Sequence, residues 1–120
     1  MLNTPVPLAN IVAEVDGEVT GSAALMREGT NACRTLSLGL AVSTAYQGLG
    51  IGSMLMQPII DVAQREYQVH RLELGVFVDN LPAVRMYERY GFVREGIRHA
   101  AWREDGYANS YVMARLFPDT

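Results

Sequence analysis

From Thr35 to Ile60 the chain runs 26 residues without a charge, and how that stretch is divided constrains the whole fold. Its length would suffice to cross a bilayer. Its content opposes a membrane span. Ser37, Ser43, Thr44, Tyr46, Gln47, Ser53, Gln57 and Pro58 interrupt it, and Gly39, Gly48, Gly50 and Gly52 break up any single helix. It reads instead as a buried strand from Arg34 to Val42, a glycine-rich turn, and a helix after Gly52. On that helix Leu55, Ile59 and Val62 follow helical spacing and Ala63 widens the apolar stripe. Pro58 removes one backbone donor inside it, so a kink is expected there.

The flanking sequence supplies the rest of a sheet. Ile11 to Val15 reads as a strand, Asp16-Gly17 as a two-residue hairpin turn, and Glu18 to Met26 as the returning strand. Polar residues Glu28 to Asn31 turn the chain toward the third strand. Arg71 to Val78 places Leu72, Leu74 and Val76 on one strand face. Asp79 or Asn80 caps a second helix, Pro82 fits its first turn, and Gly91 supplies the left-handed residue beyond its end. Phe92 to about Trp102 is expected to be extended or irregular, and Asp105-Gly106 turns into a last strand, Tyr107 to Leu116. The order β-β-β-α-β-α-β-β gives an α/β fold, a mixed antiparallel/parallel central sheet with two crossover helices. At 120 residues it is expected to form a single domain, 1–120.

Composition excludes several function classes. A net charge of −3 opposes nucleic-acid binding by a basic surface. One cysteine, Cys33, cannot form an internal disulfide, which favours a small buried residue in a reducing compartment. Met1 to Pro7 carries no cationic region followed by an apolar stretch, so a cytoplasmic location without a membrane partner is expected. No spacing pattern of metal ligands is present, and no metal is expected. His70 and His99 lie in polar stretches and read as surface histidines.

The turn Gln47-Gly48-Leu49-Gly50-Ile51-Gly52-Ser53 is the chemical feature. Glycines permit positive φ and close backbone approach, and free N–H groups at a helix start form an anion site suited to a phosphate or pyrophosphate. The glycines could equally do no more than shape a tight turn. Two nucleotide motifs fail on spacing. A P-loop needs a lysine after its last glycine, and this chain has none anywhere. A dinucleotide fingerprint needs G-x-G-x-x-G, and this run is G-x-G-x-G.

Val42 to Gly52 does resemble motif A of the GCN5-related N-acetyltransferases, whose core is Gln/Arg-x-x-Gly-x-Gly/Ala. Asn80 to Phe92 is similar to that family's Asn-x-x-Ala-x-x-x-Tyr-x-x-x-Gly-Phe, in the right order and on the second strand–helix unit. The segments Val76 to Asn80 and Gly106 to Arg115 further resemble bacterial members that acetylate amino acids. The resemblance covers about Ile11 to Leu116. Thr44, where the family often has proline, and Pro58 are minor departures.

The resemblance implies acetyl-coenzyme A as cosubstrate and a primary amine of a small molecule as acceptor. It implies that the third strand bulges near Leu40, Ala41 and Val42 and splays from its parallel neighbour, admitting the pantetheine arm. Gln47, Gly48, Leu49, Gly50, Ile51, Gly52 and Ser53 would hold the pyrophosphate, and Asn80, beyond its capping role, the cofactor arm. Tyr87 matches the family's general acid, the alternative being a core aromatic on the helical face it shares with Val84, and the Val42 N–H would polarise the thioester carbonyl. Relatives that carry a strand glutamate have it where this chain has Gly75, so Glu73, two residues earlier on the same face, is the candidate base, acting through water. The reading that its residue type favours is a solvated or paired surface glutamate, since Glu is rarely buried without a partner. The usual family start, a strand and two helices, has no counterpart here. Exposed sheet surface then leads to the expectation of a homodimer, and leaves a non-catalytic coenzyme A-binding or assembly module as the alternative.

Overall fold

Asp16 and Gly17 both take positive φ, 50° and 83°, the combination that lets a two-residue turn follow the right-handed twist of the strands it joins. In the computed structural model, which describes residues 7–28 and 34–118, this turn links β1 (Ala9–Val15) to β2 (Glu18–Glu28). Then come β3 (Thr35–Val42), a single 3-10 turn at Thr44–Tyr46, α1 (Ile51–Tyr67), β4 (Arg71–Phe77), α2 (Leu81–Arg89), β5 (Val93–Arg103) and β6 (Gly106–Leu116). Gly29, Thr30 and Asn31 of the expected turn, and Cys33, lie outside the described residues.

The six strands form one sheet in the order β1-β2-β3-β4-β6-β5. Only β3 and β4 are parallel neighbours, joined through α1. The second crossover, through α2, connects β4 to β5, and β6 inserts between them. Right-handed crossovers running the same way along a sheet place both helices on one face. That face holds the core: Leu36 and Leu38 of β3, Leu72, Leu74 and Val76 of β4, and Met113 of β6 pack with Leu55, Met56, Ile59 and Ile60 of α1 and Val84 and Tyr87 of α2. Gly21 marks the closest approach of α1 to the sheet. A Cβ there would lie 3.0 Å from the Ile51 side chain and 3.1 Å from the Ala41 carbonyl.

The structure sharpens the element boundaries. The helix begins at Ile51, capped by Gly50, so its start lies inside the glycine run. It continues unbroken through Pro58 for 17 residues. Val93 to Arg103 is extended, as one strand whose register against β6 shifts twice, between Arg94 and Gly96 and between Arg98 and Ala101. No helix among the described residues is long and apolar enough to cross a membrane, because the uncharged stretch is split between β3 and α1.

Candidate active site

The site forms where β3 and β4 part. Their parallel pairing covers only Thr35–Ser37 against Arg71–Glu73. Beyond that point β4 is held by β6, from Arg71↔Leu116 to Phe77↔Ser110, and β3 by β2, from Thr35↔Glu28 to Val42↔Gly21. Each strand is satisfied on its outer side, so the gap between them can open without breaking the sheet. The register of β3 against β2 is unbroken. The two strands therefore part without the bulge expected at Leu40–Val42.

A cavity of about 830 Å³ occupies this region, within the usual size range for small-molecule sites. Its lining includes Leu40, Ala41 and Val42 from β3, Gln47, Gly48, Gly50, Ile51, Gly52 and Ser53 from the turn and α1, and Asn80 before α2. Ten of the eleven residues expected to contact the cofactor thus converge. Leu49 does not line the cavity; its side chain is 67% exposed, because it stands between two glycines that both have positive φ.

Local geometry explains the turn. Gly48 and Gly50 adopt φ of 82° and 83°, and a Cβ at either would meet nothing within 4 Å. Their backbone requirement is conformational, and the space beside them is open. Gly50 caps α1 with no side-chain hydrogen bond and no acidic residue in the first turn. The first N–H groups of a helix have no partner inside it, so here they face the cavity beside a helix-dipole field that favours anions. Gln47 does something else: its Nε2 donates to the Val42 carbonyl at 3.2 Å, fixing the end of β3.

The second helix starts differently. Asn80 Oδ1 accepts from the Ala83 N–H at 3.4 Å, and Pro82 falls in the first turn. The end closes by a Schellman arrangement, with the Phe92 N–H on the Tyr87 carbonyl at 3.0 Å, the Gly91 N–H on the Glu88 carbonyl at 3.0 Å, and Gly91 at φ 89°. Tyr90 ties the two helices together, its hydroxyl donating to the Ser53 carbonyl in the first turn of α1 at 3.0 Å.

Tyr87 is both core and cavity wall. It is 7% exposed, packs edge-on against Phe92 with ring centroids 6.0 Å apart, and lines the cavity. Burial pushes its phenol up to about 12, so it holds its proton throughout the physiological range and can act only as a donor there. Glu73 sits on the opposite face of the sheet, by strand alternation with Leu72 and Leu74. Its carboxylate accepts from Arg71 Nε and Nη2 at 3.1 and 2.9 Å, and Arg71 also binds Glu95. That guanidinium holds the Glu95 carboxyl below the usual range. Glu73, paired in register with Ser37 of β3, does not line the cavity that Tyr87 faces.

The lining also contains residues that sequence reasoning passed over: Tyr46, Pro82, Ala83, Met86 and Arg89. Met86 lies against Gly52, whose Cβ would stand 3.4 Å from its sulfur. Arg89 follows Met86 by three residues, the helical spacing that places both along one side of α2, and it brings a cation to the lining. Among the described residues no group of His, Cys, Asp and Glu could hold a metal.

Sequence and fold comparisons meet on this geometry. The acetyltransferase (GNAT) family matches residues 3–92. An L-amino acid N-acetyltransferase of Escherichia coli is 33% identical over 91% of this chain and 68% of its own length. A probable N-acetyltransferase of Bacillus subtilis is 31% identical over 87% of this chain and 58% of its own. A GNAT-family acetyltransferase structure from Streptococcus pneumoniae superimposes with a TM-score of 0.82 at 25% identity, covering 91% of this chain and 66% of that one. A spermidine N-acetyltransferase from Vibrio cholerae gives 0.78 at 27% identity. The chain spans about two thirds or less of the length of these relatives.

Proposed function

The chain belongs to the GNAT acetyltransferase family, and from that premise we propose that it transfers an acetyl group from acetyl-coenzyme A to the primary amine of a small molecule, an amino acid in the first instance, by direct attack in a ternary complex. The observation that carries this reading is the meeting, in one cavity, of the strand gap, the uncapped start of α1 and the protonated Tyr87.

The cradle fits the cosubstrate. The N–H groups from Gly48 to Ser53 bind the pyrophosphate, with Arg89 adding positive charge, and the open space beside Gly48 and Gly50 admits it. The backbone edge at Leu40–Val42, which β4 leaves unpaired, pairs with the amides of the pantetheine arm, and Asn80 contacts the same arm. The Val42 N–H donates to the thioester carbonyl as negative charge develops on it. The amine attacks that carbon, the C–N bond forms and the C–S bond breaks. The amine proton leaves through water to Glu73, which must first loosen its hold on Arg71, and Tyr87 protonates the departing thiolate. The products are an amide and free coenzyme A.

An amino-acid acceptor is supported by the likeness to the Escherichia coli enzyme; the spermidine enzyme among the structural relatives makes polyamines the second set to try. We also propose that the chain pairs with itself across its helix-free sheet face, where Val12, Val93 and Leu116 are 47%, 64% and 66% exposed. The test is a screen of amino acids and polyamines following thiol release, on protein whose oligomeric state is read by light scattering. Amine-dependent thiol release is expected. Cofactor binding with no release across the screen would mean a coenzyme A-binding module, and a monomer at every concentration would remove the pairing.

A further inference from the structure

Beyond α2 the chain builds a long hairpin, β5 and β6, whose tip runs past the end of β4: pairing with β4 stops at Ser110, while β5 and β6 remain paired out to Arg103↔Gly106. A hairpin extended in this way has few neighbours, and cross-strand pairs such as Trp102 against Tyr107, 68% and 71% exposed with ring centroids 5.1 Å apart, are what stiffen it. Arg103 joins its tip to the turn that follows β4. Arg103 Nη1 donates to both oxygens of Asp79, at 3.0 and 2.8 Å. Its Nε donates to Asp105 within the hairpin's own turn, and its guanidinium lies 5.1 Å over the Phe77 ring.

Phe77 and Asp79 are the first and third residues of a single turn. The Asn80 N–H closes that turn on the Phe77 carbonyl at 3.0 Å, and the Val78 N–H is anchored on the Asn109 carbonyl of β6 at 3.0 Å. Asn80 is the residue this turn delivers, at once the cap of α2 and part of the cavity lining. Its own cap bond is long, 3.4 Å, so it does little to fix itself. One nitrogen of Arg103 spans both Asp79 oxygens while its Nε holds Asp105 and its plane lies over Phe77, a set of contacts that a point charge on a flexible stem cannot make together.

We infer that Arg103 is a positioning residue for the cofactor site: by clamping Asp79 and Phe77 it sets the Val78–Asn80 turn and so holds Asn80 in the cavity. It lies outside both sequence motifs, and the inference rests on Asn80 contacting the cofactor as proposed above. It also makes the hairpin tip and the cavity one mechanical unit, so whatever displaces the tip loosens Asn80.

The test uses Arg103→Met, which keeps the apolar stem, Arg103→Lys, which keeps the charge without the fork, Asp79→Asn and the Arg103→Met/Asp79→Asn pair. Hydrogen exchange of the Ala83 amide in the free protein reads the cap directly, and calorimetry reads acetyl-coenzyme A affinity. Both Arg103 variants should speed Ala83 exchange and weaken binding about three- to tenfold, and the double variant should be no worse than the worse single one, because both act through one contact. Turnover at saturating cofactor should change far less than KM. A lowered thermal midpoint with unchanged Ala83 exchange and unchanged affinity would mean a merely structural ion pair and overturn the assignment, as would fully additive effects. Should the unaltered protein bind no acetyl-coenzyme A, the functional reading fails separately, and Ala83 exchange alone then decides the role of Arg103.

Discussion

The two strand–helix junctions of this protein are built on the same plan and finished in opposite ways. After β3 the chain enters α1 through Gly50, which has positive φ, offers no side chain and leaves the first turn's N–H groups uncovered. After β4 it enters α2 through Asn80, which covers one of those donors itself. The first junction gives up only about a few tenths of a kcal/mol of capping stability and leaves its N–H groups open to an anion; the second keeps that stability and contributes a side chain instead. Both open onto one cavity, so in the proposed function one junction offers backbone and the other side chains, with Tyr87 about two helical turns beyond Asn80.

The largest effect should come from the side-chain half. Tyr87→Phe keeps ring volume and the edge-on contact with Phe92, so folding and cofactor affinity should hold, while single-turnover rate falls on the order of 10²–10⁴ if the phenol protonates the thiolate. A full-speed single turnover would reduce Tyr87 to packing. The same variant has an alkaline signature. The folded phenol is pushed up to about 12 from 10. Between those values the folded state keeps a proton that the unfolded state loses, so its contribution is complete below pH 10 and is lost as pH rises through 12, about 2–3 kcal/mol at most. The chain has no lysine, so the amines that usually titrate in this window are absent. Stability should fall more steeply above pH 10 in the unaltered protein than in Tyr87→Phe, measured by denaturant unfolding.

The backbone half is tested at Gly50. A left-handed conformation costs a branched residue about 1–2 kcal/mol, so Gly50→Val should weaken acetyl-coenzyme A binding roughly tenfold, as read by calorimetry. Because a Cβ at Gly50 meets no protein atom, Gly50→Asn separates two causes. Asparagine tolerates positive φ and should bind several-fold better than the valine variant if conformation is what matters. Equal losses would mean that the ligand needs the space beside the glycine.

What could be read from the sequence divides along the same line. Local chemistry was legible: Asp16-Gly17 makes the expected turn, Gly91 ends α2 as expected, and two spaced motifs brought Leu40 to Ser53 together with Asn80 and Tyr87. Features that depend on distant partners were not. The strand β5 is exposed along nearly its whole length, so it has no apolar alternation to betray it, and Ala100 at φ 56° breaks its register. The pairing of Glu73 with Arg71 bears out the reading of Glu73 as a paired surface carboxylate, the two residues standing on one strand face. The grip of Arg103 on Asp79 spans 24 residues and has no local signal at all. Arg89 was within the motif but masked by it, since only the motif's fixed positions were assigned roles.

The smallest effect is the sharpest test of the contrast between the junctions, because it asks whether Asn80 is more than a cap. Asn80→Ala should cost about 0.5–1 kcal/mol, the low end for a lost cap, since the existing bond is long. Asn80→Asp keeps an acceptor for the Ala83 N–H and places a carboxylate where the helix dipole favours it, so its thermal midpoint should match or exceed that of the unaltered protein. Its effect on the cavity has the opposite sign. The carboxylate can no longer donate to a carbonyl of the cofactor arm, and it brings negative charge toward a ligand that carries several. Acetyl-coenzyme A affinity should therefore fall about threefold, with the loss shrinking as salt screens the repulsion. A stable Asn80→Asp variant that binds as well as the unaltered protein at low salt would leave Asn80 with its cap alone. The two junctions would then differ in kind, one serving the ligand and the other only the fold.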